Sequence, residues 1–190
     1  MGQKQTKIII ITPHSYCVDL PFRHGDMRAR EEAMKIMEIL KNKGLNWDYY
    51  GADRFRAYID YNRAPSRTFK LRKDIDRRIK YYRGVGHDVI VLEIHSFPLG
   101  YDAYDIRDRP IAFLATPHYA KDTKTIVQKL NKKLDFPVLH FVGRKTHDIQ
   151  LTTEKYGIKH YLIEFHEKKE KLTTNQSDRF HEALVDILQS

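Results

Sequence analysis

The sequence predicts one α/β domain spanning residues 1–190, three layers deep, with a mainly parallel or mixed central sheet and helices on both faces. Three observations predict it. Residues 7–13 and 88–94 are apolar runs rich in Ile and Val without alternation, as in strands covered on both faces. Strand-like and helix-like stretches alternate along most of the chain, the signature of layered α/β architecture. At 190 residues the chain is long enough to bury a substantial core without covalent staples.

After strand 7–13 and an irregular segment at 14–25, residues 26–43 carry Ala33, Ile36, Met37 and Leu40 at helical spacing. Asp26 stands at the expected N-cap and Gly44 at the C′ position. A short strand at 46–50 and an extended segment at 55–61 follow. Pro65 and Ser66 then open a helix reaching Arg83, which Gly84 and Gly86 close. Beyond strand 88–94 come a Tyr- and Asp-rich loop at 97–108 and strand 111–115. A helix at 120–133, a strand at 137–142, a variable segment at 143–157 and a strand at 159–166 continue the alternation. A final helix, 176–188, has Phe180, Ala183, Leu184, Ile187 and Leu188 as its apolar face.

Composition narrows the function. A single cysteine, Cys17, excludes an intramolecular disulfide and fits a reducing, cytoplasmic setting. No apolar stretch approaches the length of a membrane span, and the first residues lack the apolar core of a secretion signal. The net charge of +9 raises nucleic-acid or anion binding as a possibility. The basic residues crowd only at 70–83, where Asp74 and Asp76 interrupt them at helical spacing. A solvated helix face accounts for that crowd more simply than an anion-binding surface.

Two histidines point to chemistry. His14 and His95 each follow an apolar strand and precede a serine, and ligands of such sheets gather where parallel strands end. A hydrolytic zinc site needs three His, Asp, Glu or Cys ligands, an open position for water, and a carboxylate base. His14 and His95 supply two ligands, and Asp26 is chosen as the third over Cys17, Asp19, His24 and Glu32. Glu93, two residues before His95, shares its strand face and could orient its ring. Glu164 lies between apolar neighbours in the last strand, where burial of a carboxylate demands compensation. It is the expected general base. Arg56, Asn62 and Arg63 offer a guanidinium and an amide on an extended segment, suited to clamping a substrate carboxylate.

Pro13-His14-Ser15, Arg56-x3-Asp60-x-Asn62-Arg63, Glu93-Ile94-His95-Ser96 and Ile163-Glu164 follow the order seen in the N-formylglutamate amidohydrolase family, which the chain resembles from about residue 8 to 168. The Arg-Asp-Asn-Arg element is the most specific part. The resemblance implies a fold like that of zinc peptidases and phosphorylase/hydrolase enzymes, and one Zn2+ held by His14, His95 and an acid mapped to Asp26. It implies that Glu164 acts as base, Arg56 polarises the scissile carbonyl, and Asn62 and Arg63 hold the substrate carboxylate. The substrate would be a small anionic N-acyl amino acid or a peptide. Glu93 stands where the family usually has Asp, the chain is short for the family, and 143–153 lacks its usual glycines.

Ordinary packing explains several other residues. His24, His118, His147, His160 and His166 read as surface or loop residues, and Asp60 as a support of its loop. Tyr49, Tyr50, Tyr81 and Tyr82 read as core or half-buried packing. Two rival functions stand beside the amidohydrolase. One is a zinc peptidase or cell-wall amidase on the same fold; the other is a non-catalytic basic protein that binds nucleic acid or another anion.

Overall fold

Residues 8–11, four consecutive isoleucines, are all buried and form the heart of β1 (Thr6–Thr12). A strand can bury four in a row only if both sheet faces are covered. A computed structural model describes residues 5–13, 28–52, 67, 69–97, 110–143, 148–167 and 170–189. Within them β2 (Asn46–Gly51), β3 (Asp88–Phe97), β4 (Ile111–Ala115), β5 (Val138–Val142) and β6 (Lys159–His166) complete one six-stranded sheet in the order β2-β1-β3-β6-β4-β5. β2, β1, β3 and β6 are parallel; β4 runs antiparallel to β6, with β5 parallel to β4. The expected three-layer α/β fold with a mixed sheet is the observed one.

One face packs under α1 (Ala29–Asn42), α3 (Ala120–Lys133) and α5 (Thr174–Gln189). That layer holds the larger core, where Ile10, Leu92 and Phe165 meet Ile36, Leu130 and Phe180. The opposite face packs under α2 (Lys70–Gly84) and α4 (Asp148–Lys155), with Ile9, Ile11, Val89 and Val91 against Ile75, Ile79 and Ile149. Thr173 and Gln176 form a reciprocal cap on α5: the Gln176 N–H donates to Thr173 Oγ1 at 3.3 Å and the Thr173 N–H to Gln176 Oε1 at 3.0 Å.

Four details differ from the sequence reading. α1 starts at Ala29 with Arg28 in the cap position, so Asp26 lies upstream of the cap. Gly44 sits at C′ as expected, in the left-handed region at φ 64°. α2 starts at Lys70 after Phe69, later than Pro65 and Ser66 suggested. The variable segment 143–157 contains α4. β3 runs three residues past Ile94, which places His95 inside a strand rather than after one.

Candidate active site at the carboxyl rim of the sheet

Strand alternation puts Val89, Val91, Glu93 and His95 of β3 on the face covered by α2 and α4. The β3–β6 register pairs Glu93 with Leu162 and His95 with Glu164, so His160, Leu162 and Glu164 share that face. Toward the carboxyl ends of these strands the face turns from apolar to polar. Val91 is followed by Glu93 at 0% exposure and His95 at 4%, while His160 is also at 0%. Glu164 is half-buried on the strand next to His95, and neighbouring strands lie only about 4.8 Å apart. Their proximity is a product of register, not of sequence nearness.

Glu93 holds this cluster together. Its Oε1 lies 2.8 Å from His95 Nε2, and its Oε2 lies 2.9 Å from His160 Nε2, a close contact whose alignment falls outside hydrogen-bond geometry. Burial pushes the Glu93 carboxyl up, but the imidazoles of His160 and His95 outweigh it and hold the group well below the usual carboxylate range. A carboxylate accepts, so His95 donates from Nε2, and in a neutral ring so bonded the lone pair sits on Nδ1. Behind His160, its Nδ1 lies 2.8 Å from Thr153 Oγ1. The Tyr119 hydroxyl donates to the same oxygen at 3.0 Å, and burial pushes that phenol up to about 12.

On the other face of β3, Ser96 Oγ accepts the Arg28 N–H at 3.1 Å and donates to Glu167 Oε1 at 2.9 Å. The Arg28 guanidinium pairs with Glu32 and donates to the carbonyls of His166 and Leu172, each at 3.0 Å. Segments 14–27 and 98–109 are therefore flanked by described residues at this rim. Pro13 follows Thr12, and Arg28 is bound to Ser96; Phe97 pairs with His166, whose N–H donates to the Pro110 carbonyl at 3.0 Å. Ala52 lies at the same rim, where its N–H donates to the Thr12 carbonyl at 2.9 Å.

Of the expected site residues, the structure sets His95 and Glu164 side by side in register, and Glu93 meets the His95 ring as its spacing predicts. His14, Asp26, Arg56, Asn62 and Arg63 lie outside the described residues, as do Cys17, Asp19, His24, Asp60 and His147. Among the described residues no group of three His, Cys, Asp or Glu is placed to hold a metal. Glu32 engages Arg28, Ser177 and, at 3.3 Å, His181 within the α1–α5 layer, on the side of the sheet away from His95. That packing accounts for Glu32 without a metal. His160 and His166, expected at the surface, are buried, and Tyr81, expected in packing, is 56% exposed. His160 is the residue that the sequence reading missed. A lone imidazole in an otherwise apolar strand was its one signal.

The basic crowd of 70–83 is mostly the outer face of α2. Lys70 and Arg77 pair with Asp74, Lys80 with Asp76 at 2.7 Å, and Arg78 with Asp48 at 3.0 Å. Arg72 alone turns inward and donates to Thr152 Oγ1 at 3.2 Å. With Lys73, Lys155 and Tyr156 it lines a cleft of about 310 Å³ between α2 and α4.

No protein-family model and no curated protein matches the sequence. Solved structures do match in fold. A gene product from Agrobacterium tumefaciens is 16% identical with a TM-score of 0.65, over 98% of this chain and 91% of that one. The CwlD amidase from Clostridioides difficile, solved in complex with the GerS lipoprotein, is 14% identical with a TM-score of 0.56, over 96% of each chain. A metallo-carboxypeptidase from Burkholderia cenocepacia is 10% identical with a TM-score of 0.58, over 99% of this chain but only 57% of the carboxypeptidase. The chain has the fold of zinc carboxypeptidase-like proteins. Identities this low establish the fold alone.

The donors present suit a metal at this rim. A ligand imidazole characteristically gives its second N–H to a carboxylate, as His95 does to Glu93. Among the described residues no helix is long and apolar enough to cross a membrane.

Proposed function

We propose that this chain is a zinc-dependent amidohydrolase that cleaves the amide bond of a small anionic N-acyl amino acid of the N-formyl type. The observation that carries this reading is the buried Glu93–His95 pair set beside Glu164 at the carboxyl rim of the sheet, in a fold shared with an amidase and a metallo-carboxypeptidase. His95 would hold the ion through Nδ1, with His14 and Asp26 as the other ligands. When bound, the ion supplies Lewis acidity to the scissile carbonyl and to the attacking water.

The remaining chemistry belongs to side chains. Glu164 takes a proton from water as its oxygen adds to the carbonyl carbon. It returns that proton to the nitrogen as the C–N bond breaks, which releases an amine and a carboxylic acid. Arg56 stabilises the charge that develops on the carbonyl oxygen. Asn62 and Arg63 grip the substrate carboxylate and fix its orientation.

Elemental analysis of the purified chain, with turnover of N-formyl, N-acyl and peptidyl substrates, tests the proposal. Expected are one zinc per chain, hydrolysis of N-acyl amino acids that a chelator abolishes, and loss of turnover in Glu164→Gln with the zinc retained. Hydrolysis confined to peptides or cell-wall fragments would replace this reading with the peptidase or amidase. Absence of metal, with steeply salt-dependent binding of nucleic acid along the α2–α4 cleft, would replace it with the basic binding protein.

A further inference from the structure

We propose that His160 is a positioning residue for the metal-binding ring of His95, acting through Glu93 and braced from behind by Thr153 and Tyr119. The inference rests on the reading of His95 as a metal ligand. It assigns a role to residues that never reach the ion.

Glu93 is fully buried, where an ionised carboxylate is expensive unless both oxygens are met. One imidazole satisfies one oxygen. The other faces His160 at 2.9 Å, itself at 0% exposure. Remove His160, and the buried Glu93 Oε2 loses the polar atom that faces it. The carboxylate would then be free to turn away, and His95 would lose the acceptor that fixes the orientation of its ring.

The ring of His160 is held on three sides. β6 carries it, Thr153 of α4 meets its Nδ1 at 2.8 Å, and the Tyr119 ring packs against it with centroids 5.8 Å apart. Thr153 is fixed in turn, donating to the Gln150 carbonyl at 2.9 Å or to His160 while Tyr119 donates to it. With Tyr119 donating to Thr153 and Thr153 donating to Nδ1, the ring proton of His160 sits on Nε2, facing Glu93. A residue needed only to fill space would require none of these polar partners. An apolar side chain of equal volume would do.

The test measures metal affinity, not turnover. Zinc and cobalt binding are titrated against a competing chelator in the full chain, using wild type, His160→Leu, His160→Gln and Thr153→Val. Carboxylates behind ligand histidines are worth roughly 10–100-fold in affinity. His160→Leu should weaken binding by about that factor, His160→Gln should recover much of it because its amide keeps a polar N–H against Glu93, and Thr153→Val should weaken binding by less than His160→Leu. The nitrogen shifts of His95 should show the Nε2–H tautomer eroding in His160→Leu. If His160→Leu does not fold, Thr153→Val carries the comparison. Wild-type affinity in variants that fold would overturn this proposal and leave the zinc reading intact. Failure of the wild-type chain to bind zinc or cobalt would overturn the zinc reading, and this proposal with it.

Discussion

Ser96 Oγ accepts the backbone N–H of Arg28 at 3.1 Å and donates its own proton to Glu167 at 2.9 Å. One buried hydroxyl thereby ties the start of α1 and the end of β6 to the residue next to His95. Ser96→Ala leaves both the Arg28 amide and the Glu167 carboxylate short of a partner. It should lower stability by about 1–3 kcal/mol, measured by urea denaturation, and it should raise hydrogen exchange at the Arg28 amide.

A larger loss should follow at Arg28 itself. Its guanidinium pairs with Glu32 and binds two carbonyls in a site where the two side chains are 9% and 0% exposed. Arg28→Met strands a buried carboxylate, with an expected cost of about 3–5 kcal/mol. Combining Arg28→Met with Glu32→Leu should restore part of that loss. A double variant less stable than Arg28→Met would contradict the ion-pair account.

Stability should fall on the acid side because of His181. Burial, with Lys35 and Arg28 nearby, pushes its ring down to about 3, and its nearest acid, Glu32, is already engaged by Arg28 and Ser177. In the unfolded chain a histidine titrates near 6.5. Below that pH the unfolded state binds a proton that the folded state refuses until about pH 3. This contribution is complete above about pH 6.5 and shrinks by about 1.4 kcal/mol for each unit of acidification below it. His181→Asn should flatten the fall in urea midpoint between pH 7 and pH 5. An unchanged slope would rule His181 out as its source.

The core should answer to Phe165. It is fully buried, with its ring edge-on to Phe180 at 5.5 Å and close to His181. Phe165→Ala should cost about 3–5 kcal/mol, a drop in Tm of roughly 6–20 °C for a chain of this size. Calorimetry of the two proteins reads it directly.

Much of the fold was legible because several strands and helices carry unambiguous patterns. The isoleucines of β1 have no polar face, and α3 matches its expected limits, 120–133. α4 escaped because its buried residues are Ile149, Gln150 and Thr153, two of them polar, so it shows no apolar stripe. The reversed direction of β4 and β5 escaped too, since a strand buried on both faces reads the same either way. In the site, Glu93 and His95 were legible as a pair because a spacing of two fixes a shared strand face. His160 was not. Its partner lies 67 positions earlier in the chain, and only the alignment of β3 against β6 makes a buried imidazole there inexpensive.

The reversal of β4 also has a bearing on how this protein could diversify. Because β4 sets out from the edge at which β3 finishes, Phe97 and Pro110 both come to the end of β6, one paired with His166 and the other accepting its N–H. Chain inserted between those two residues would leave both hydrophobic cores untouched. Evolution, or an engineer, could vary the connection between β3 and β4 without reopening the question of whether the chain folds.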